Sequence, residues 1–164
     1  MGTTVTSEPV LRRLTASDAA DVAIIEGASQ PRPWTEQVIR DELSGENRIY
    51  LAMLAEGALF GFGGVMVVGE EAHVTNLLVA PDQRRRGLAS RILVGLIEAA
   101  LERGARHLTL EVRSRNGAAI SLYRKFGMAP VGIRKDYYGD DDALIMWVYD
   151  IDSEAFSSHL EGLK

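Results

Sequence analysis

The sequence predicts an α+β domain: a mixed central β-sheet flanked by helices, in the order β-α-α-β-β-β-α-β-α-β-β. Three observations carry this. Leu88, Ile92, Leu93, Leu96, Ile97, Ala100 and Leu101 recur at helical spacing, so they form one apolar face of a long helix. Strand-like runs, Leu77–Ala80 and His107–Val112, bracket that helix, which calls for a right-handed parallel crossover. Upstream, three strand candidates are separated by only two or three turn residues, a spacing that suits antiparallel neighbours. The 164 residues are read as one domain, with its core over about residues 10–150, long enough to bury a substantial interior.

The elements follow in order. Val10 to Leu14 reads as the first strand. Thr15 then offers a hydroxyl cap to a helix beginning at Ala16 and running to about Gly27 or Ala28, with Val22 and Ile25 inward. Pro31 and Pro33 break the periodicity, so Gln30 to Trp34 is a loop, and Thr35 caps a second helix through Leu43. Arg48 to Ala55 and Ala58 to Val68 are strands joined by a tight hairpin at Glu56-Gly57, and a third runs from about Ala72 to Ala80. The long helix, from about Arg86 to Arg103, stops at Gly104, after which His107 to Val112 returns as a strand. Asn116 to Lys125 is a shorter helix ended by Gly127. Met128 to Tyr138 and Ala143 to Asp150 complete the sheet, with Pro130 near a strand start where its missing donor is tolerated. Residues 153–164 add a frayed terminal helix.

Composition narrows the function. Hydrophobic residues at 46% and charged residues at 25% describe an ordinary soluble globular protein. No apolar window reaches membrane-spanning length and the polar N-terminus lacks a signal peptide's apolar stretch; no membrane partner is expected, and the cytoplasm is the expected compartment. The absence of cysteine excludes disulfides, thiolate metal sites and a cysteine nucleophile. His73, His107 and His159 make no ligand-spaced pair, so no metal is expected. A net charge of −5 argues against direct nucleic-acid binding. Charge is also unevenly placed: Arg84, Arg85, Arg86 and Arg91 cluster, while Asp136 and Asp140 to Asp142 form an acidic patch. The first suits a phosphorylated cofactor. The second suits a basic partner or is simply a solvated turn.

The junction Arg84-Arg85-Arg86-Gly87-Leu88-Ala89 lies between a strand and the start of the long helix. First-turn N–H groups lack helical partners, the helix dipole adds partial positive charge, and glycine lets an anion approach closely. Strand, basic glycine turn and helix make an anion cradle; the plainer reading is three arginines at a solvated helix entry. Neither G-x-G-x-x-G nor G-x-x-x-x-G-K-[ST] occurs, so a dinucleotide fold or P-loop lacks its hallmark.

Arg84-x-x-Gly87-x-Ala89 resembles the Gln/Arg-x-x-Gly-x-Gly/Ala signature of the GNAT N-acetyltransferases, which bind acetyl-coenzyme A. Leu110-Glu111-Val112-Arg113-Ser114-Arg115-Asn116, with Ala119 to Met128, resembles the L-E-V-R-x-x-N…A-x-x-L-Y-x-x-x-G-F run of the RimI branch, the ribosomal-protein alanine N-acetyltransferases. Met128 departs from it, replacing a phenylalanine. Ile133 to Tyr138 is similar to that branch's I-R-x-x-Y-Y segment, and Asp142 to Met146 to its D-A-I-I-M strand. The similarity spans roughly residues 10–150 and is dense over 76–146. The order of elements is also that of the GNAT fold.

The resemblance implies roles residue by residue. Glu111 would be the general base; by alternation it shares a face with Thr109 and Arg113, and the alternative is a carboxylate paired with an arginine across the sheet. Tyr123 would protonate the departing coenzyme A thiolate, a task suited to a phenol near pKa 10 facing a thiol near 8.5; otherwise it is an amphipathic core residue. Asn116 would contact the cofactor, although it also suits a helix cap. Leu77, Leu78 and Val79 would supply backbone hydrogen bonds to the pantetheine arm, and Arg84, Arg85, Arg86, Gly87, Leu88 and Ala89 would hold the pyrophosphate. The family's acceptor peptide lies between the loop joining the first two helices and the last hairpin. Trp34, Tyr137 and Tyr138 would therefore bind it, unless Trp34 merely plugs the core.

The implied reaction is direct attack of a neutral amine on the thioester, in keeping with the absence of cysteine. An α-amine has pKa about 7.7–8.0 and lysine about 10.4, a gap of roughly 3.4 kcal/mol that favours a protein N-terminus. The family's partner is such an N-terminus, typically alanine of a ribosomal protein. A GNAT acting on lysines or small amines and a non-catalytic acyl-CoA sensor are the alternatives. The pair Glu111 and Tyr123 weighs against the sensor, which needs neither.

Overall fold

The computed structural model describes residues 8–164. Seven strands alternate with five helices: β1 (Val10–Arg13), α1 (Ala19–Ser29), α2 (Glu36–Leu43), β2 (Arg48–Ala55), β3 (Ala58–Val68), β4 (Glu71–Val79), α3 (Leu88–Glu102), β5 (His107–Arg113), α4 (Gly117–Lys125), β6 (Ala129–Arg134), β7 (Ala143–Val148) and α5 (Glu154–Leu163). This is the expected order, with the terminal helix real. The strands lie in one mixed sheet in the order β1-β2-β3-β4-β5-β7-β6. β5 runs parallel to β4 and antiparallel to β7.

Local chemistry explains the element ends. The first helix is preceded by a 3-10 turn, Ala16–Asp18. There the Thr15 N–H donates to Asp18 Oδ2 at 2.8 Å and the Arg12 guanidinium forks onto the same carboxylate at 3.0 and 3.2 Å. Thr35 caps α2 by accepting from the Val38 N–H, and Ser153 caps α5 by accepting from the Phe156 N–H. α5 is anchored rather than frayed, because Phe156 and Leu160 are buried. At the β2–β3 hairpin, Glu56 (φ 52°) and Gly57 (φ 79°) both take left-handed backbone, as a two-residue primed turn requires. β6 is shorter than the sequence pattern suggested and stops at Arg134, not Tyr138. Asp136 turns the chain with φ 55°, its N–H held by Asp142 Oδ1 at 2.9 Å.

The chain packs as two units. The first runs to Gly64 and includes Asn76–Leu96. Its core is Leu14, Ala19, Val22, Ile25, Ile39, Tyr50, Ala52 and Phe62, with Trp34 and Leu78 packed against it. β2 and β3 fit closely here: a Cβ at Gly64 would sit 2.2 Å from the Tyr50 ring. The second unit is Val65–Thr75 with Ile97–Lys164. Its sheet alternates cleanly. Ala72 and Val74 of β4, and Leu108, Leu110 and Val112 of β5, are buried. The intervening His73, Thr75, Thr109, Glu111 and Arg113 are half-buried on the other face. The β4–β5 ladder consists of Glu71↔His107, Ala72↔Leu108 and His73↔Thr109, whereas β5 pairs with β7 throughout, from Leu108↔Val148 to Arg113↔Ala143.

Candidate active site

The second unit gathers the titratable groups. Glu111 emerges on the half-buried face of β5, as alternation required. Its Oε2 lies 2.6 Å from His73 Nε2, and its Oε1 is 3.9 Å from an Arg134 guanidinium nitrogen. Glu111 is also close enough to Tyr138 to raise the phenol's pKa, although burial is the larger cause and Tyr137 the next. Tyr138 in turn influences Tyr123. The Tyr123 phenol on α4 is buried, and desolvation, with a smaller contribution from Tyr138, pushes its pKa up to about 12. Tyr138 thus stands within electrostatic reach of both residues expected to handle protons. A phenol this reluctant to ionise is fully protonated at neutral pH and keeps its O–H to donate.

The loop after β6 is tightly organised. Arg113 lies over the Tyr138 ring, 4.3 Å from its centroid, and bonds Asp140 Oδ1 at 2.6 Å. Tyr137 meets Tyr138 edge to face at 5.0 Å, lies under Arg134 at 5.7 Å, and is 52% exposed. Asp141 accepts from the Ser114 hydroxyl at 2.6 Å and from the Arg115 and Asp142 N–H groups. These bonds, led by Ser114, hold its carboxyl below the usual range. The acidic patch is therefore bonded to its own chain, tying the β6–β7 loop to the β5–α4 turn. Asn116 caps α4 by accepting from the Ala119 N–H at 3.1 Å.

The first unit carries the basic turn. Gly87 has φ 74° and open space around its missing Cβ, so a bulky anion can approach the backbone there. Arg85 is also left-handed, at φ 65°. All three arginines are exposed: Arg84 Nε donates to the Val79 carbonyl at 3.2 Å, while Arg86 bonds Gln83 and lies over Phe60. Leu88 is buried and Ala89 half-buried in the first turn of α3. Of the β4 backbone expected to serve a ligand, the Leu77 N–H is already taken by Asn76 Oδ1 at 3.0 Å and the Val79 carbonyl by Arg84. Trp34 is half-buried and packs against the core of this unit.

Two features escaped the sequence reading. Glu26, only 2% exposed, accepts from the Trp34 N–H at 2.9 Å and from Asn76 Nδ2 at 2.8 Å, joining α1, the α1–α2 loop and β4. Its place beside Ile25, one turn after Val22, was the available signal. His73 had no such signal, because its partner is fixed by sheet register and not by spacing. Among the described residues no cluster of three or more His, Cys, Asp or Glu could hold a metal ion, and no helix is long and apolar enough to cross a membrane.

Comparison with known proteins adds the family. The model described as the acetyltransferase (GNAT) family matches residues 19–128. A Salmonella typhimurium ribosomal protein bS18-alanine N-acetyltransferase is 36% identical over 81% of this chain and 92% of its own length. A Mycobacterium tuberculosis protein named N-alpha-acetyltransferase RimI is 34% identical over 82% of this chain and 88% of its own length. The crystal structure of the ribosomal-protein-S18-alanine N-acetyltransferase from Escherichia coli superposes with a TM-score of 0.80 at 33% identity, covering 87% of this chain and 94% of that one.

Proposed function

Because this chain belongs to the acetyltransferase (GNAT) family, we propose that it transfers an acetyl group from acetyl-CoA to a protein N-terminal α-amine. The acceptor that fits best is the N-terminal alanine of a small-subunit ribosomal protein, the substrate class named for its relatives. One observation carries the chemical reading: a half-buried carboxylate, Glu111, and a firmly protonated phenol, Tyr123, both within electrostatic reach of Tyr138.

Roles follow from proton affinities. Acetyl-CoA, when bound, presents a thioester carbon to the amine. Glu111 removes a proton from the acceptor ammonium, directly or through water, which frees the lone pair that attacks. Tyr123, protonated at neutral pH, donates its proton to the leaving sulfur, so that coenzyme A departs as the thiol, and the phenolate left behind is reprotonated from solvent. The Arg84–Arg86 guanidinium groups and the amides following Gly87 suit a pyrophosphate. The β4 backbone around Leu78 suits the cofactor's amide-bearing arm, and Asn116 is a further candidate contact for the cofactor. Tyr137 and Tyr138 would contact the acceptor peptide. The reaction takes place without a metal and without an acetyl-enzyme, in the cytoplasm, and calls for neither nucleic acid nor membrane.

The test is mass spectrometry of a peptide panel incubated with acetyl-CoA. Free alanine N-termini should gain one acetyl group, while N-blocked peptides carrying lysine should not. Acetylation confined to lysines or small amines would overturn the acceptor assignment; no transfer at all, with acetyl-CoA bound, would make the chain a sensor.

A further inference from the structure

β4 outruns its neighbour β5. The ladder between them ends at His73↔Thr109, yet β4 continues to Val79. Past that last rung, side chains hold the backbone. The Leu77 N–H donates to Asn76 Oδ1 at 3.0 Å, Asn76 Nδ2 donates to Glu26 Oε1 at 2.8 Å, and Glu26 Oε2 accepts the Trp34 N–H at 2.9 Å. These residues all belong to the first unit, and Glu26 is only 2% exposed. A carboxylate so buried is tolerated because its oxygens are engaged.

This relay has a fixed direction. Asn76 Oδ1 is committed to an N–H, so the amide cannot turn around, and its Nδ2 must present hydrogens to residue 26. The Trp34 N–H is a donor too. Residue 26 thus meets donors on both sides, which calls for two acceptor atoms and no hydrogens. Glutamate satisfies that demand. Glutamine, of the same size, would set an N–H against a donor.

We propose that Glu26 and Asn76 are positioning residues for the acetyl-CoA arm: their relay, anchored on the Trp34 backbone, holds the β4 backbone at Leu77–Val79 in the posture that receives it. This rests on the reading that the backbone around Leu78 takes that arm, and it names what fixes its geometry. Hydrogen bonds to an extended strand weaken steeply when donor angles drift, so a loosened β4 loses the arm. The turn at Arg84–Ala89 contributes no group to the relay, so the nucleotide end of the cofactor should be indifferent to it.

The test is calorimetry with two probes: coenzyme A, and 3′-phospho-ADP, which has the same nucleotide and pyrophosphate but no arm. Wild type is compared with Glu26→Gln, Asn76→Asp and the double variant, all isosteric. Asn76→Asp alone sets carboxylate against carboxylate. The double variant reverses the relay: the carboxylate at position 76 accepts from the Leu77 N–H and from the new amide at position 26, whose oxygen accepts the Trp34 N–H. Each single variant should bind coenzyme A about tenfold more weakly, with 3′-phospho-ADP changed less than about twofold. The double variant should return to within about threefold of wild type for coenzyme A. Single variants that bind coenzyme A like wild type, equal losses for both probes, or a double variant no tighter than the weaker single overturn the relay alone. Should a single variant fail to fold, the double variant decides. Wild type that binds both probes equally tightly removes the arm from β4, and both readings fail.

Discussion

The Arg113 guanidinium lies over the ring of Tyr138, 4.3 Å from its centroid, while one of its nitrogens grips Asp140 at 2.6 Å. One side chain of β5 thus fixes the posture of a loop residue that touches the electrostatics of both Glu111 and Tyr123. Arg113→Lys would keep the charge and lose the guanidinium over the Tyr138 ring. A loss of about 1 kcal/mol in loop order is expected, read as a roughly fivefold rise in KM for the acceptor peptide. The KM for acetyl-CoA should stay within twofold. Steady-state kinetics with each substrate varied in turn will show it.

Tyr123→Phe removes the proton donor and little else, since the ring stays packed. kcat should fall about a hundredfold with folding intact. The same variant tests the raised pKa. A phenol ionising near 12 when folded and near 10 when unfolded stabilises the fold fully below pH 10, and that contribution is lost as pH rises through 12. The latest phenolate transition in an ultraviolet pH titration should disappear in Tyr123→Phe, and the variant's alkaline unfolding should begin at higher pH.

Replacing Arg84, Arg85 and Arg86 together by alanine should weaken coenzyme A binding by tenfold or more in dilute buffer. The difference from wild type should shrink as salt screens the exposed guanidinium charges. Calorimetry at two ionic strengths gives the answer; equal affinity at both would remove these arginines from the phosphate site.

Glu26 is a structural carboxylate by its bonds. Glu26→Leu strands the Trp34 N–H and the Asn76 amide in a buried setting, at a cost of about 2–4 kcal/mol. Chemical denaturation should report the loss as a lower midpoint. Glu26→Gln, which retains one acceptor, should lose less.

The framework of the molecule was legible because periodicity and turn chemistry are local. The Leu88–Leu101 stripe, the Glu56-Gly57 turn, the Thr35 and Asn116 caps and the alternation that set Glu111 apart from Leu110 and Val112 all appear where spacing put them. What spacing could not supply is partnership between distant segments. Asp140 to Asp142 read as a free acidic patch, yet Arg113, Ser114 and the Asp136 N–H already engage them. β6 read as running to Tyr138 because its residues are good strand formers, but the left-handed turn at Asp136 ends it early. Glu26 and His73 belong to the same class: each depends on a residue 38 or 50 positions away.

The Glu56-Gly57 turn has a practical consequence. A glutamate at φ 52° occupies a conformation that asparagine or glycine adopts at less cost, and the position is solvent-facing. Glu56→Asn would install the Asn-Gly pair that such hairpins favour, gaining roughly 0.5 kcal/mol of resilience. A sturdier background of that kind would let crippled catalytic variants be purified and measured on equal terms.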